Sequence, residues 1–288
     1  MLSGELATLL SGRYVEISMM PLSFAEYAAF TGVTPGRSGY ANQKTAFNDY
    51  LRYGSFPYTV MLNKDDGMIR NYIDGIYNTI LIKDVANREH INDISLLESI
   101  VQFLASGIGS PVSAKKISDT LNSSGRKISV NTVEIYLRAL GDSFIFYKAN
   151  RYDIKGKQFL KTLGKYYIVD TGIRNLLLAS SSTDLGHVLE NIVYLELARR
   201  GNKVSIGKLD EKEVDFVAAA AAGKAAYYQV AATVLDENTL RRELEPLQKI
   251  RDNHPKYLLT LDDYMSDANY DGILQMNVID WLLEETAR

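Results

Sequence analysis

The chain has 288 residues and a formal net charge of -3, with 46% hydrophobic and 23% charged residues, an ordinary globular composition with room for two or three compact units. It contains no cysteine, which excludes disulfides, thiolate zinc sites and cysteine nucleophiles and fits a reducing compartment. No apolar run approaches the roughly 20 residues needed to span a bilayer. The N-terminal MLSGELATLLSGRYVEI lacks the basic stretch and apolar core of a secretory signal, so a cytoplasmic location without membrane contact is expected.

Taken in chain order, GELATLLSG has helical periodicity and RYVEISMM reads as a short strand. PLSFAEYAAF opens a helix at Pro21 and Ser23, Gly36 to Tyr40 is a loop, and GSFPYTV (Gly54 to Val60) turns into a new element. Apolar residues at Met68, Tyr72, Ile73, Ile76, Ile80 and Ile82 predict one long helix from about Asp66 to Ala86. Three helical pieces follow from Ser95. LLESIVQFLASGI runs to Gly109, and SAKKISDTLNSSG has Ser113 as N-cap and Gly125 as terminator. In SVNTVEIYLRALGDS, Asn131 and Glu134 have the spacing of a capping box.

Beyond Gly141 the text alternates, predicting two strands around a turn at Lys155 to Lys157. From about Thr171, LENIVYLELARRG is a helix closed by Gly201, and KVSIGKL, EVDFVAA and YYQVAAT are three short strands. NTLRRELEPLQKIRD is a helix capped by Asn238, and KYLLTLDD and ILQMNVI are two further strands. An α-β-β-β-α-β order belongs to a mixed-sheet domain, so the expected class is α+β or α/β, multidomain.

Charge is unevenly distributed. Between Ser113 and Lys165 there are eleven Lys and Arg against four Asp and Glu, a basic segment in an acidic chain that points to a polyanionic partner. In a helix-turn-helix the second helix buries one stripe and offers the other to the major groove. Val133, Leu137 and Leu140 supply the buried stripe, leaving Asn131, Thr132, Glu134, Ile135 and Arg138 on the open side. Lys148, Arg151, Lys155, Lys157, Lys161 and Lys165 on the ribbon that follows would face phosphates as a wing. Duplex DNA is the expected partner; the same pattern also serves as a protein-docking unit.

A second constellation is Glu190 on a helix, Asp215 on a following strand and Gln229 on the next. PD-(D/E)XK nucleases place an acid, an aspartate and a Glu or Gln in this order, where hard oxygen ligands hold Mg²⁺ and the ion activates water. Glu190 and Asp215 would be the metal carboxylates. The lysine expected two residues after Gln229 is absent, because position 231 is alanine. The competing reading makes Asp215 and Gln229 the polar faces of two amphipathic strands and Glu190 a helix-start charge.

Other chemistry is poorly supported. No G-x-x-x-x-G-K-[ST] occurs, so no ATP site is expected in this chain. His90, His187 and His254 are far apart with no H-E-x-x-H, no G-x-S-x-G is present, and SGIGS (Ser106 to Ser110) reads as a helix-terminating turn.

Longer phrases carry a resemblance: LSGELATLLSGRYVEI, MPLSFAEY, YGSFPY, NTILIKDV, VNTVEIYL, RYDIKGK, YYIVDTGIRN, GHVLENIVYLELARRG, EVDFV, YYQV and KYLLTLD. Nearly end to end, the chain resembles the C-terminal two-thirds of a prokaryotic family of AAA-type ATPases that carry a C-terminal domain of uncharacterised function. That resemblance implies the end of an ATPase module at 1–60, a linker helix at 61–93, a winged helix at 94–170 and a restriction-endonuclease-like PD-(D/E)XK domain at 171–288. The chain begins after the Walker motifs of such proteins, which implies a separate ATPase domain or another protein as partner. Arg13 would be a sensor or arginine-finger residue, with structural ion pairing as the alternative. The function so implied is DNA binding through the winged helix, with a weak or inactive nuclease-like domain. An active Mg²⁺-dependent DNase and a regulatory interaction module are the alternatives.

Overall fold

The computed structural model describes residues 19–33, 39–87, 90–178, 184–220, 223–263 and 267–284. Arg13 and the helix and strand expected before Met19 lie outside these residues. Ser23 starts α1 (Phe24–Phe30) with the reciprocal capping box its sequence allows: it accepts from the Glu26 N–H at 3.1 Å, and Glu26 accepts from the Ser23 N–H at 2.8 Å. Next come α2 (Tyr40–Tyr53), α3 (Pro57–Met61), with proline at its first position, and α4 (Asp66–Asn78). The long helix expected to reach Ala86 is α-helical only to Asn78, and Thr79–Ala86 is wound as a π-helix. Ile80 and Val85, five residues apart, both pack on the same core, which is the spacing of a π-turn.

Three helices follow: α5 (Ile94–Ser106), α6 (Ala114–Ser123), capped by Ser113 as expected, and α7 (Val130–Asp142). The cap of α7 is Ser129, not Asn131. Its extended backbone lets the hydroxyl accept from the Thr132 N–H at 3.1 Å, which leaves Asn131 exposed inside the first turn. Val133, Leu137 and Leu140 are buried, as their spacing predicts.

The hairpin of β1 (Phe146–Asp153) and β2 (Gln158–Ile168) turns at residues 154–157 and is antiparallel. Its outer strand is β2, because β1 pairs in parallel with β3 (Lys203–Leu209). Together with β4 (Lys212–Ala219), β5 (Ala225–Val230), β6 (Lys256–Thr260), β7 (Asn269–Tyr270) and β8 (Ile273–Asn277), it forms one mixed sheet in the order β2-β1-β3-β4-β5-β6-β8-β7. Successive strand residues face opposite ways. Phe146, Tyr166 and Ile168 therefore enter the core of the three-helix unit, while Ala149 and Tyr167 enter the core on the other side.

The remaining helices are α8 (Thr171–Leu178), α9 (Leu185–Arg199), α10 (Glu237–Gln248) and α11 (Val278–Leu283). Asp236 rather than Asn238 caps α10, accepting from the Thr239 N–H at 2.9 Å. The order α9-β3-β4-β5-α10-β6 is the α-β-β-β-α-β arrangement read from the sequence. Leu189, Ile192 and Val193 of α9 pack against Phe216 and Leu259, and Leu244 and Leu247 of α10 pack against Val214 and Val217 on the opposite face. A buried carboxylate ties the N-terminal helices to this body: Asp170 accepts from the Ser55 N–H at 2.6 Å, its hydroxyl at 2.8 Å and the Ile173 N–H at 3.1 Å. Among the described residues no helix is long and apolar enough to cross a membrane.

Candidate functional site

Alternation along GKYYIVD gives Lys165 and Tyr167 the same side of β2, and that side meets the N-terminal half of α9. Lys165 Nζ lies 2.8 Å from Glu190 Oε1, 2.8 Å from Glu213 Oε1 and 3.9 Å from Asp215 Oδ1. The Tyr167 hydroxyl donates to the same Glu190 Oε1 at 2.5 Å. Lys165 is 4% exposed and Glu190 7%. Glu213 and Asp215, two apart on β4, reach the cluster from one face of their strand.

Asp215 and Gln229 are joined directly. Asp215 Oδ2 accepts the Val230 N–H at 2.9 Å, and the Gln229 carbonyl faces the Asp215 N–H at 3.3 Å. The Gln229 amide donates to Glu243 on α10 at 2.8 Å, and Glu243 in turn holds Arg242 at 2.8 Å. These groups open into a cleft of about 430 Å³ that Asp184 and His187 also line, hydrogen-bonded to each other at 2.5 Å. The turn after α5 closes the cluster from above. Gly109 has φ +71°, and a Cβ there would stand 2.9 Å from the His187 ring and 3.0 Å from Glu190 Oε2.

The electrostatics follow from three acids around one buried cation. Burial alone would lower the Lys165 pKa, but Glu190, Asp215 and Glu213 outweigh it and raise it, so the ammonium stays charged. Asp215 is pushed well above the ordinary carboxylate value, first by burial and then by the charge of Glu190, with Lys165 only partly offsetting them. Tyr167 is raised by burial and by Glu190 and remains a phenol donor.

The structure thus brings Glu190, Asp215 and Gln229 together, as their spacing predicts. Lys165 is corrected: expected on a wing facing phosphates, it is buried among these acids. Of the residues expected to touch DNA, Asn131, Arg138, Lys148, Lys155 and Lys157 are exposed. Thr132 is half-buried with its hydroxyl against that of Ser129, and Lys155 is held by Asp210 at 2.5 Å. Arg151 is half-buried, its Nε without a hydrogen-bond partner among the described residues. The Lys161 side chain lies outside the described residues.

A family model described as Domain of unknown function (DUF8612) matches residues 44–184, from within α2 through the hairpin to the start of α9. An uncharacterized protein of Haemophilus influenzae is 43% identical over 284 residues, covering 99% of this chain and 68% of that protein. The chain belongs to that protein's family. An uncharacterized protein of Methanocaldococcus jannaschii is 29% identical over 228 residues, 75% of this chain and 50% of that relative. No solved structure matches the chain.

For this family member, sequence reasoning missed the parts of the site contributed from before Thr171: Lys165, Tyr167 and Gly109. The alternation that pairs Lys165 with Tyr167 was the available signal; no pattern announces that β2 faces α9. Glu213, two residues before Asp215, was legible by the same period.

Proposed function

We propose that the cleft is a phosphodiester-cleaving centre acting on DNA, in which Lys165 supplies the cation that position 231 lacks. What carries this reading is the Lys165 ammonium, 2.8 Å from both Glu190 and Glu213 and beside Asp215. The order of Glu190, Asp215 and Gln229 resembles that of PD-(D/E)XK nucleases, whose lysine stabilises charge on the attacked phosphate or positions water. The expectation of a weak or inactive domain rested on Ala231, and a cation delivered by a different strand removes its basis.

Such centres work with a divalent ion, and the donor chemistry suits a hard one. Glu190 Oε2 and Asp215 Oδ1 accept no hydrogen bond among the described residues, and Asp215 takes up a proton that a divalent cation would displace. As they stand, no three acids or histidines among the described residues are arranged to hold a metal ion by themselves. An ion would therefore be held by Glu190 and Asp215, with the Gln229 carbonyl and water completing its shell. Bound there, Mg²⁺ would polarise the phosphodiester and lower the pKa of its water. The chain's own residues prepare the place: Tyr167 pins one oxygen of Glu190, Glu243 orients Gln229, and Lys165 keeps its charge for the phosphate.

Duplex would be gripped by α7 and the hairpin, where Arg138, Lys148 and Lys157 are exposed and have no acidic partner among the described residues. An ATPase domain is the proposed partner, on the chain's resemblance to AAA-type ATPase proteins. The test is plasmid cleavage with Mg²⁺ and with Mn²⁺. Wild type should cleave, Asp215→Ala should not, and Lys165→Gln, which keeps a hydrogen-bond donor, should be slower by roughly 10²–10³. A folded wild type that cleaves with neither ion overturns the proposal, as does cleavage that survives Asp215→Ala.

A further inference from the structure

We infer that a trough on the α10 side of the sheet is a binding site for single-stranded nucleic acid. It has a volume of about 1160 Å³ and lies over β1, β3, β4 and β5, beyond the end of α10. Its floor includes Tyr152, Val217, Ala219, Ala225 and Tyr227 and is mainly apolar. At its edge Phe159 is 48% exposed, its ring centre 5.3 Å from that of Tyr152.

The rim is cationic. Lys157, Lys203 and Arg251 line it and have no acidic partner among the described residues. The two acids present are already engaged: Asp210 by Lys155, and Asp252 by the Tyr227 hydroxyl at 2.6 Å and the His254 N–H at 3.0 Å. Lys203 Nζ stands 4.3 Å from the centre of the Phe159 ring, so positive charge and aromatic surface are side by side.

An occupant must match both features. Single strands place phosphates on cations while their bases stack on aromatic rings, whereas a duplex hides its base faces in its own stack. The charge complementarity favours a polyanion, and the exposed ring favours one with free π-faces. This site is separate from the Glu190 cleft and needs no divalent ion.

The test measures anisotropy of the full chain with a labelled oligothymidylate in EDTA at low salt. A length of about 12 nucleotides falls within the roughly 4–16 that such sites cover. The comparisons are an abasic strand of equal charge and a blunt duplex. The oligothymidylate should bind about tenfold more tightly than the abasic strand, and Phe159→Ala should erase that preference. Lys203→Glu and Arg251→Ala should each reduce the log-log salt slope by at least about 0.7. Lys203 and Arg251 are on the open rim and Phe159 is at its edge, and circular dichroism checks that each variant is folded. Equal binding of both strands, no binding, or binding that responds to neither Lys203→Glu nor Arg251→Ala overturns the inference. Such a failure leaves cleavage at the Glu190 cleft untouched, and loss of cleavage leaves this binding untouched.

Discussion

Lys165 on β2 and Glu190 on α9, 25 residues apart, meet at 2.8 Å with side chains 5% and 9% exposed. Desolvating both costs more than an exposed pair could return, so the pair holds only because each end is complemented. Lys165→Ala strands Glu190 without its cation, and urea denaturation at neutral pH should record a loss of about 3–5 kcal/mol. A loss below about 1 kcal/mol, the range of exposed pairs, would mean that water reaches the cluster freely.

Asp215 makes stability depend on pH. Its folded pKa is raised, so the protonated form is the one the fold favours. That contribution is fully present below the unfolded value of about 3.9 and is lost as pH rises through the folded value. Asp215→Asn should therefore match wild type near pH 4 and become the more stable of the two at about pH 9. Denaturation midpoints across this range check it, and parallel curves would contradict it. Mn²⁺ affinity should rise over the same interval, because binding must expel the Asp215 proton.

Gly109 occupies a left-handed backbone position directly over the cluster. In Gly109→Ala the backbone alone should cost about 1–2 kcal/mol. The new methyl also presses on His187 and Glu190, so a lower melting temperature should come with reduced cleavage. Unchanged cleavage by a folded variant would show that Glu190 yields without consequence.

Duplex contact on α7 and the hairpin has a salt signature. Arg138→Ala combined with Lys148→Ala should reduce the log-log slope by about 2, since each phosphate contact contributes roughly 0.9. Lys155→Ala should change it less, because Asp210 already holds that ammonium. Anisotropy titrations with a duplex at several salt concentrations measure this. An unchanged slope in the double variant would move DNA contact away from α7.

Much of the architecture was legible because it rests on local patterns. Ser23 and Ser113 cap helices, Gly125 and Gly201 end them, and alternation marks β1 to β5. Caps were misplaced by two residues at Asn131 and Asn238, because Ser129 and Asp236 start their helices half a turn earlier and accept from the Thr132 and Thr239 amides. Glu190, Asp215 and Gln229 could be found because their elements are consecutive. Lys165 was misassigned for the opposite reason. Its role depends on β1 pairing with β3, a long-range parallel contact that no local period encodes.

The hairpin of β1 and β2 is a wall common to two cores, one face given to α5–α8 and the other to α9. A chain cut before Thr171 would therefore not release a self-sufficient C-terminal half. It would bare the β3 edge and leave Glu190 without Lys165. The two halves cannot be shuffled independently between proteins: a recombination event between them must carry the hairpin along or rebuild both of its faces at once.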